Sequence, residues 1–250
     1  MIKVAVCGAC GKMGANILEL LKNDNDAEAF YGIDPLGTYA SVRLVKSFAE
    51  IKDKPDVIID FSTPAALKDE LSYAVANKVP VVIGSTGFTD GQLKEIDEAA
   101  KSVAVFRTAN FSLGVNLLCE LVKKAAATLG EKFDVEIIEK HHSQKVDAPS
   151  GTALMLANSA NEALGGDRKL LNGREGICGK RGNEIGLHAV RGGTIVGEHE
   201  VLFCGEDEII TISHSARSKK VFAAGAIKAA KWLTDKPAGM YSMNDILKNI

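Results

Sequence analysis

The first 21 residues join a strand-like run to a helix-like run through a turn of glycines. Ile2–Cys7 is short and β-branched and is followed at once by Gly8, which is typical of a buried parallel strand. Met13, Ile17 and Leu20 then recur at helical spacing. A strand, a tight turn and a helix in this order open a β-α-β unit, so the segment favours an α/β fold.

The same alternation continues to residue 110. Further strand-like runs at Glu28–Ile33, Val57–Phe61, Pro80–Ile83 and Val103–Phe106 are separated by helix-like segments. This alternation predicts a Rossmann-type, doubly wound parallel sheet.

A different pattern follows Asn110. It predicts helices over residues 114–129 and 152–164, strands over 133–138, 186–191, 194–204 and 208–213, a long loop over 165–184 and a hairpin turn at Gly192-Gly193. These elements predict a second, α+β domain with a mixed, largely open sheet. A last helix, Lys219–Leu233, is expected to pack on the first domain. The expected domains are therefore a dinucleotide-binding domain of residues 1–110 and 218–250 and a substrate-binding and tetramerisation domain of residues 111–217.

Composition excludes several classes of protein. A net charge of -2 gives no general attraction to nucleic acid or to a membrane surface. There is no apolar run of 18 residues, and no basic region precedes the first strand as in a signal peptide. Five cysteines, an odd number without regular spacing, are typical of a reducing compartment, and we expect a cytoplasmic protein.

The glycine turn has the spacing of a dinucleotide site. Gly8, Gly11 and Gly14 form G-x-x-G-x-x-G, which lets the backbone approach a pyrophosphate held at the helix N-terminus. Asp34 ends the second strand, where an acid accepts hydrogen bonds from a ribose 2′-hydroxyl and repels a 2′-phosphate. Because no basic residue follows Asp34 directly, we expect NADH to be preferred, with NADPH possible. Cys7 and Cys10 also form C-x-x-C, which leaves a redox pair or half of a metal site as an alternative.

The segment from Glu136 to Ala153, EIIEKHHSQKVDAPSGTA, carries the titratable groups. His141, His142 and Lys145 lie on one short loop between a strand and a helix, where function is commonly placed. Ser150 is a plausible N-cap that leaves the amides of the next residues to bind a carboxylate. A histidine pair can also bind a metal, but a neighbouring lysine disfavours a cation, and we expect none. His188, His199 and His214 fall in predicted strands without such company and are interpreted as structural.

This segment matches in full the signature of a known family. Shorter motifs agree elsewhere in the chain, at the Met-Gly of the glycine turn, Asp60–Pro64, Gly84–Gly87, Asn110–Ser112 and Arg191–His199. The chain therefore resembles the dihydrodipicolinate reductase family of bacterial and plant lysine biosynthesis over essentially its whole length.

The resemblance implies a reaction and roles for residues. The reaction is the NAD(P)H-dependent reduction of 4-hydroxy-tetrahydrodipicolinate, a dicarboxylate, with loss of water, in the diaminopimelate route to lysine. His141 would be a proton donor and acceptor, Lys145 a proton donor, and His142, Gly151 and Thr152 would hold carboxylates, although the division of roles between His141 and His142 stays open. The family is usually tetrameric through its carboxyl-terminal sheet. The implied cofactor-binding residues are Gly8, Ala9, Cys10, Gly11, Lys12, Met13, Asp34, Gly84, Ser85, Thr86, Thr108, Ala109, Asn110 and Phe111.

Two other functions remain as alternatives. Another two-domain amino-acid dehydrogenase, similar to aspartate dehydrogenase, would share the glycine turn but has no need of the His-His-x-x-Lys segment. A non-catalytic NAD-binding redox sensor would use Cys7 and Cys10 as its switch, and it would bind NADH without consuming it.

Overall fold

The computed structural model describes residues 1–37 and 42–248 of the chain. They divide into two compact units: Met1–Ser112 with the segment that begins at Lys220 form unit 1, and Leu113–Lys219 form unit 2. Both boundaries lie two residues after the expected positions. Residues 249–250 of the predicted first domain lie outside the described residues.

The described residues form twelve strands and seven α-helices. The strands are β1 (Ile2–Cys7), β2 (Ala27–Ile33), β3 (Leu44–Val45), β4 (Val57–Asp60), β5 (Val81–Ile83), β6 (Ala104–Arg107), β7 (Asp134–His141), β8 (Lys169–Asn172), β9 (Glu184–Arg191), β10 (Gly197–Cys204), β11 (Ile209–Ala216) and β12 (Gly239–Tyr241). The helices are α1 (Lys12–Leu21), α2 (Leu67–Asn77), α3 (Asp90–Ala100), α4 (Leu113–Leu129), α5 (Gly151–Ala163), α6 (Lys220–Leu233) and α7 (Met243–Leu247).

Unit 1 is built on a parallel sheet with the strand order β12-β6-β5-β4-β1-β2-β3. The chain moves outward from β1 through β2 and β3, then returns to the other side of β1 at β4. Strand order therefore reverses between β1 and β4, the point at which such sheets bind ligands beyond their carboxyl ends. This architecture confirms the Rossmann-type sheet predicted from the sequence.

Helices cover the sheet of unit 1. Alternate side chains of the strands, among them Ala5, Ile58 and Val81, join α2 and α3 in one apolar core. α1 and α6 pack against each other, and α6 also contacts β4, β5 and β6. Strand residues that face either side of the sheet are buried, which explains why the sequences of these strands are continuous apolar runs.

Unit 2 contains a mixed sheet with the order β11-β10-β7-β9-β8. β10 runs antiparallel to both β11 and β7, whereas β7, β9 and β8 are parallel to one another. Alternate residues of β7 are buried, and apolar ones such as Val135 and Ile137 share a core with α4 and α5. The structure thereby confirms the predicted second domain with a mixed sheet.

Two details of the predicted second half are wrong. Gly192-Gly193 does not close a hairpin, because β7 lies between β9 and β10 and pairs with both. The predicted loop over 165–184 contains β8, which adds to the edge of the sheet beside β9. Both errors arise because local spacing cannot show which strand a distant segment pairs with.

Among the helices of the described residues, none is long and apolar enough to cross a membrane.

Candidate active site

The glycine turn depends on a backbone shape that a side chain would disrupt. Gly8 has φ of +74°, and a Cβ there would lie 2.6 Å from the carbonyl oxygen of Phe61. A Cβ on Gly14 would lie 2.1 Å from the Gly8 carbonyl oxygen, so glycine lets α1 approach the turn closely. Gly11 is the N-cap of α1 and, having no side chain, leaves the first-turn amides to another acceptor.

A cavity of about 570 Å³ opens at the carboxyl ends of β1, β2 and β4. Of the predicted cofactor-binding residues, Gly8, Gly11 and Asp34 line it. Ser62 and Lys46 also line it, although the sequence interpretation gave them no role. The sequence could have indicated both residues, because Ser62 follows β4 and Lys46 follows β3. Polar residues that follow parallel strands gather at the carboxyl edge of the sheet.

Asp34 is held in a fixed orientation at this cavity. Its carboxylate accepts a hydrogen bond from the N–H of Cys10 at 3.0 Å and another from the N–H of Leu36 at 3.0 Å. Two backbone donors leave lone pairs for a further donor, such as a ribose hydroxyl. Arg43, the other nearby base, is paired with Asp53 at 3.3 Å.

The other predicted cofactor-binding residues lie in or after β1, β5 and β6 and differ in what they can offer. Ala9 is fully buried, so it can contribute only backbone atoms. Phe111 is buried as well and packs against Phe61 in a tilted arrangement, with ring centroids 5.3 Å apart. Cys10, Lys12, Met13, Gly84, Ser85, Thr86, Thr108, Ala109 and Asn110 are exposed or partly exposed.

Buried Asp60 ties two of the loops at the sheet edge together. Its carboxylate accepts hydrogen bonds from the hydroxyls of Ser62 and Ser85, which follow β4 and β5. The aromatic ring of Phe61 lies against Gly84, where a Cβ would come within 2.4 Å of it. These contacts fix the loops after β4 and β5 relative to each other.

These residues fit a dinucleotide. The uncapped start of α1 and the close approach allowed by Gly8 suit a pyrophosphate, and Asp34 suits an unphosphorylated ribose. Cys7 is buried, and burial first, then the neighbouring carboxyl groups of Glu70 and Asp60, raise the pKa of its thiol far above the usual value, which disfavours the thiolate. Within the described ranges, no group of three or more His, Cys, Asp or Glu side chains could hold a metal ion.

Unit 2 places the predicted His and Lys side chains at the end of β7. β7 ends at His141, and residues 142–150, the His–Lys loop, lead to α5. On a strand that continued, His141 and His142 would face opposite sides of the sheet. Both side chains can reach one pocket only if the strand ends here, and it does. His142 has a buried Nδ1 that meets no hydrogen-bond partner in the part of the chain described.

Lys145 is paired within the same loop. Its ammonium donates to both carboxylate oxygens of Asp147, at 2.7 and 2.8 Å. The hydrogen bond from Lys145 holds the pKa of the exposed Asp147 carboxyl below its usual value. The Lys145 side chain is one-fifth exposed and its partner Asp147 is more than half exposed, so Lys145 can exchange this partner for a ligand.

The start of α5 has the predicted cap. Ser150 Oγ accepts a hydrogen bond from the N–H of Ala153 at 3.2 Å, which confirms Ser150 as the N-cap. Gly151 and Thr152 form the first turn behind this cap, and a Cβ on Gly151 would meet open space. An anion could therefore approach the helix at Gly151.

His141 belongs to a buried polar cluster that the sequence interpretation missed. Its Nδ1 lies 2.6 Å from a carboxylate oxygen of Glu139, and its ring meets that of His199 edge-on at 5.2 Å. Burial and the charge of His141 lower the pKa of His199 to about 4. Arg191 forms a bidentate ion pair with Glu139. The expectation that His199 has no titratable company was therefore wrong, although two-residue spacing already placed Glu139 and His141 on one strand face.

Comparison with known proteins identifies the family. The model described as "Dihydrodipicolinate reductase, N-terminus" matches residues 2–111, and "Dihydrodipicolinate reductase, C-terminus" matches residues 114–247. The chain is 47% identical to the 4-hydroxy-tetrahydrodipicolinate reductase of Caldanaerobacter subterraneus subsp. tengcongensis, with 99% of each chain covered. It is 45% identical to the reductase of the same name from Clostridium novyi, over 100% of this chain and 99% of that one.

A solved structure agrees. A dipicolinate-bound dihydrodipicolinate reductase from Paenisporosarcina sp. TG-14 superposes with a TM-score of 0.81 at 29% identity, covering 98% of this chain and 99% of that chain. The family predicted from the sequence is confirmed: the chain belongs to the dihydrodipicolinate reductase family.

Proposed function

We infer that this chain is a 4-hydroxy-tetrahydrodipicolinate reductase, an oxidoreductase of the diaminopimelate route to lysine. The observation that carries the inference is identity of 41–47% along the full length to curated reductases of that name. The His–Lys loop adds chemical support, because it supplies the acids and the helix start that a dicarboxylate reductase requires.

Unit 1 is the proposed dinucleotide-binding domain. The family uses NAD(P)H, and the nicotinamide supplies a hydride when it is bound. Gly8 and Gly11 let the pyrophosphate approach the start of α1, and Asp34 receives the adenine ribose. The loops after β5 and β6 form the nicotinamide side, at Gly84, Ser85, Thr86, Thr108, Ala109, Asn110 and Phe111.

Asp34 is the basis for a preference for NADH. A 2′-phosphate next to its fixed carboxylate would experience like-charge repulsion. Lys46, which lines the same cavity, would offset part of that repulsion, so NADPH remains possible as a second cofactor. We expect Asp34→Asn to raise kcat/KM with NADPH relative to NADH by about 10-fold, the effect of 1.4 kcal/mol. An unchanged ratio of the two kcat/KM values would contradict this assignment.

Unit 2 is the proposed substrate-binding domain. His141 and Lys145 supply and accept protons, while His142, Gly151 and Thr152 hold substrate carboxylates. Dipicolinate is bound to the relative from Paenisporosarcina sp. TG-14, which supports a dicarboxylate ligand here. The exposed carboxylate of Asp147 pairs with Lys145, and a substrate carboxylate would take its place in the complex.

The proposed oligomer is a homotetramer formed through the sheet of unit 2. β11 is an edge strand of that sheet, with Ile209 largely exposed at its start. An open edge with exposed apolar residues favours pairing with another chain. Light scattering coupled to size-exclusion chromatography should give four times the mass of the 26.5 kDa chain.

Five free cysteines are consistent with the cytoplasm as the place of the reaction.

A coupled assay tests the function. The preceding synthase generates the substrate in place, and the oxidation of NADH and of NADPH is followed in parallel. We expect substrate-dependent oxidation of both, faster with NADH at equal concentrations. Binding of NADH without turnover would favour the sensor. Reduction of NAD⁺ with aspartate as the substrate would favour the amino-acid dehydrogenase.

A further inference from the structure

Glu139 is a fully buried carboxylate on the face of β7 that packs into the core of unit 2. It precedes His141 by two residues, so both side chains point to the face of β7 that also carries Val135 and Ile137. An unpaired carboxylate in such a place would cost several kcal/mol. Its contacts must therefore stabilise the charge.

Four hydrogen bonds do so. Oε1 accepts from the N–H of Ser150 at 3.0 Å and from Arg191 at 2.7 Å. Oε2 accepts from Arg191 at 2.8 Å and lies 2.6 Å from His141 Nδ1. Burial raises the pKa of Glu139, but the hydrogen bonds from Arg191 and His141 outweigh it and keep that pKa below its usual value. Glu139 is therefore ionised and can only accept hydrogen bonds.

An acceptor at this distance decides where the proton of His141 lies. The hydrogen shared by the pair must sit on Nδ1, which leaves the lone pair of the neutral ring on Nε2. A Cβ at Gly197 would lie 3.1 Å from Nε2, so glycine keeps the space beside that atom open.

The neighbouring ring does not compete for the proton. His199 has a pKa of about 4, lowered by burial first and then by the charge of His141. Its Nε2 lies 3.0 Å from Ser150 Oγ. The other titratable groups near the two rings are those of Arg191 on β9, Lys145 in the His–Lys loop and His214 on β11. Each of them is positive or neutral, so none adds a second carboxylate. Of the two rings, His141 is the one with a carboxylate partner.

We propose that Glu139 is a positioning residue, whose carboxylate holds His141 with Nδ1 protonated so that Nε2 takes or gives the reaction's proton. The kinetic part of this inference rests on the proposed function. The position of the proton is a property of the free protein and requires no substrate.

The first test is therefore spectroscopic. In ¹⁵N-labelled protein, two-bond ¹H–¹⁵N correlation spectra distinguish the two neutral tautomers of each histidine, and a His141→Gln variant identifies the His141 signals. We expect neutral His141 to show a protonated Nδ1 and an unprotonated Nε2. A protonated Nε2 with an unprotonated Nδ1 in neutral His141 of the unaltered protein would overturn the proposal, whether or not any variant folds.

The second test uses two matched variants. Glu139→Gln replaces the carboxylate by an amide that can donate as well as accept, so the tautomer preference should be lost. We expect kcat to fall about 100-fold, the usual contribution of a positioned proton donor, while the NADH Kd changes less than about twofold. Glu136→Gln is the control, because Glu136 lies on the same strand and pairs with His188 at 2.7 Å. It should leave kcat and the His141 tautomer unchanged.

The outcomes separate this proposal from the function on which it rests. If the unaltered protein has no reductase activity, the proposed function fails and the tautomer spectrum still decides the role of Glu139. If the reductase is active and Glu139→Gln retains both its kcat and its His141 tautomer, Glu139 has no positioning role.

Discussion

Gly8 shows how a single residue constrains the dinucleotide loop. Its φ of +74° costs an L-residue about 1 kcal/mol, and a Cβ would also press on the Phe61 carbonyl. We expect Gly8→Ala to lose about 2 kcal/mol of unfolding free energy in urea and to weaken NADH binding at least about 10-fold. Gly11→Ala is the control, since Gly11 has φ of -74° and its Cβ would lie 3.2 Å from the nearest atom. An equal stability loss in both variants would refute the explanation.

Site residues that stand close together in the sequence could be predicted, whereas those brought together only by the fold could not. His141, His142 and Lys145 stand together in the sequence. His199 lies 58 residues from His141 and reaches it only because β10 pairs with β7. Periodicity gives no information on such a partner until the strand order is known.

At the scale of elements, α2 carries a buried acid whose ionisation opposes folding. Glu70 is fully buried, its carboxylate oxygens meet no hydrogen-bond donor among the described residues, and burial followed by the charge of Asp60 raises its pKa well above 4.5. The unfolded chain releases this proton near pH 4.5, while the folded chain retains it. The unfolded state therefore binds fewer protons above that pH, and stability falls as pH rises towards the folded-state pKa.

Glu70→Gln removes this dependence. We expect the melting temperature of the variant minus that of the unaltered protein to increase from pH 5 to pH 8. The increase should be about 3 °C for each kcal/mol by which the buried acid destabilises the unaltered protein. Asp69→Asn, at the exposed neighbouring position, should show no such trend in differential scanning calorimetry. A constant offset for Glu70→Gln across this pH range would contradict this account, because it would show that Glu70 is ionised in the folded chain as well as in the unfolded one.

β9 depends on a glycine for an ion-pair network. A Cβ on Gly186 would lie 1.8 Å from Oε2 of Glu136, which accepts a hydrogen bond from Arg174 and lies 2.7 Å from His188 Nε2. Gly186→Ala should displace that carboxylate and lose about 2 kcal/mol in chemical unfolding. Gly182→Ala, where a Cβ would meet open space, should lose less than about 0.5 kcal/mol. Similar losses in both would contradict the role of Gly186.

The strands and helices were mostly evident from periodicity, whereas their pairing was not. β1, β2, α1 and α6 follow from apolar spacing alone. β3, β8 and β12 are two to four residues long and are stabilised by pairing with a longer strand, so local pattern gives them little signal.

For the whole molecule, alternation of strands and helices sufficed to predict a Rossmann-type sheet, and a change of pattern near residue 110 predicted the second unit. The return of the chain to unit 1 through α6 and β12 follows from apolar burial, since α6 is buried along Ala223, Ala226, Ala230 and Leu233. Cofactor preference and oligomeric state depend on a ligand or a second chain, and sequence patterns encode them only through individual residues such as Asp34.

The proposed reductase activity is measured as steady-state NADH oxidation with enzymatically generated 4-hydroxy-tetrahydrodipicolinate, in the unaltered protein and in His141→Gln and Lys145→Ala. We expect substrate-dependent turnover in the unaltered protein and a loss of kcat of at least about 100-fold in each variant. NADH Kd, measured by fluorescence, should change less than about twofold in the variants. Absence of substrate-dependent oxidation by the unaltered protein, or full activity in both variants, would contradict this expectation.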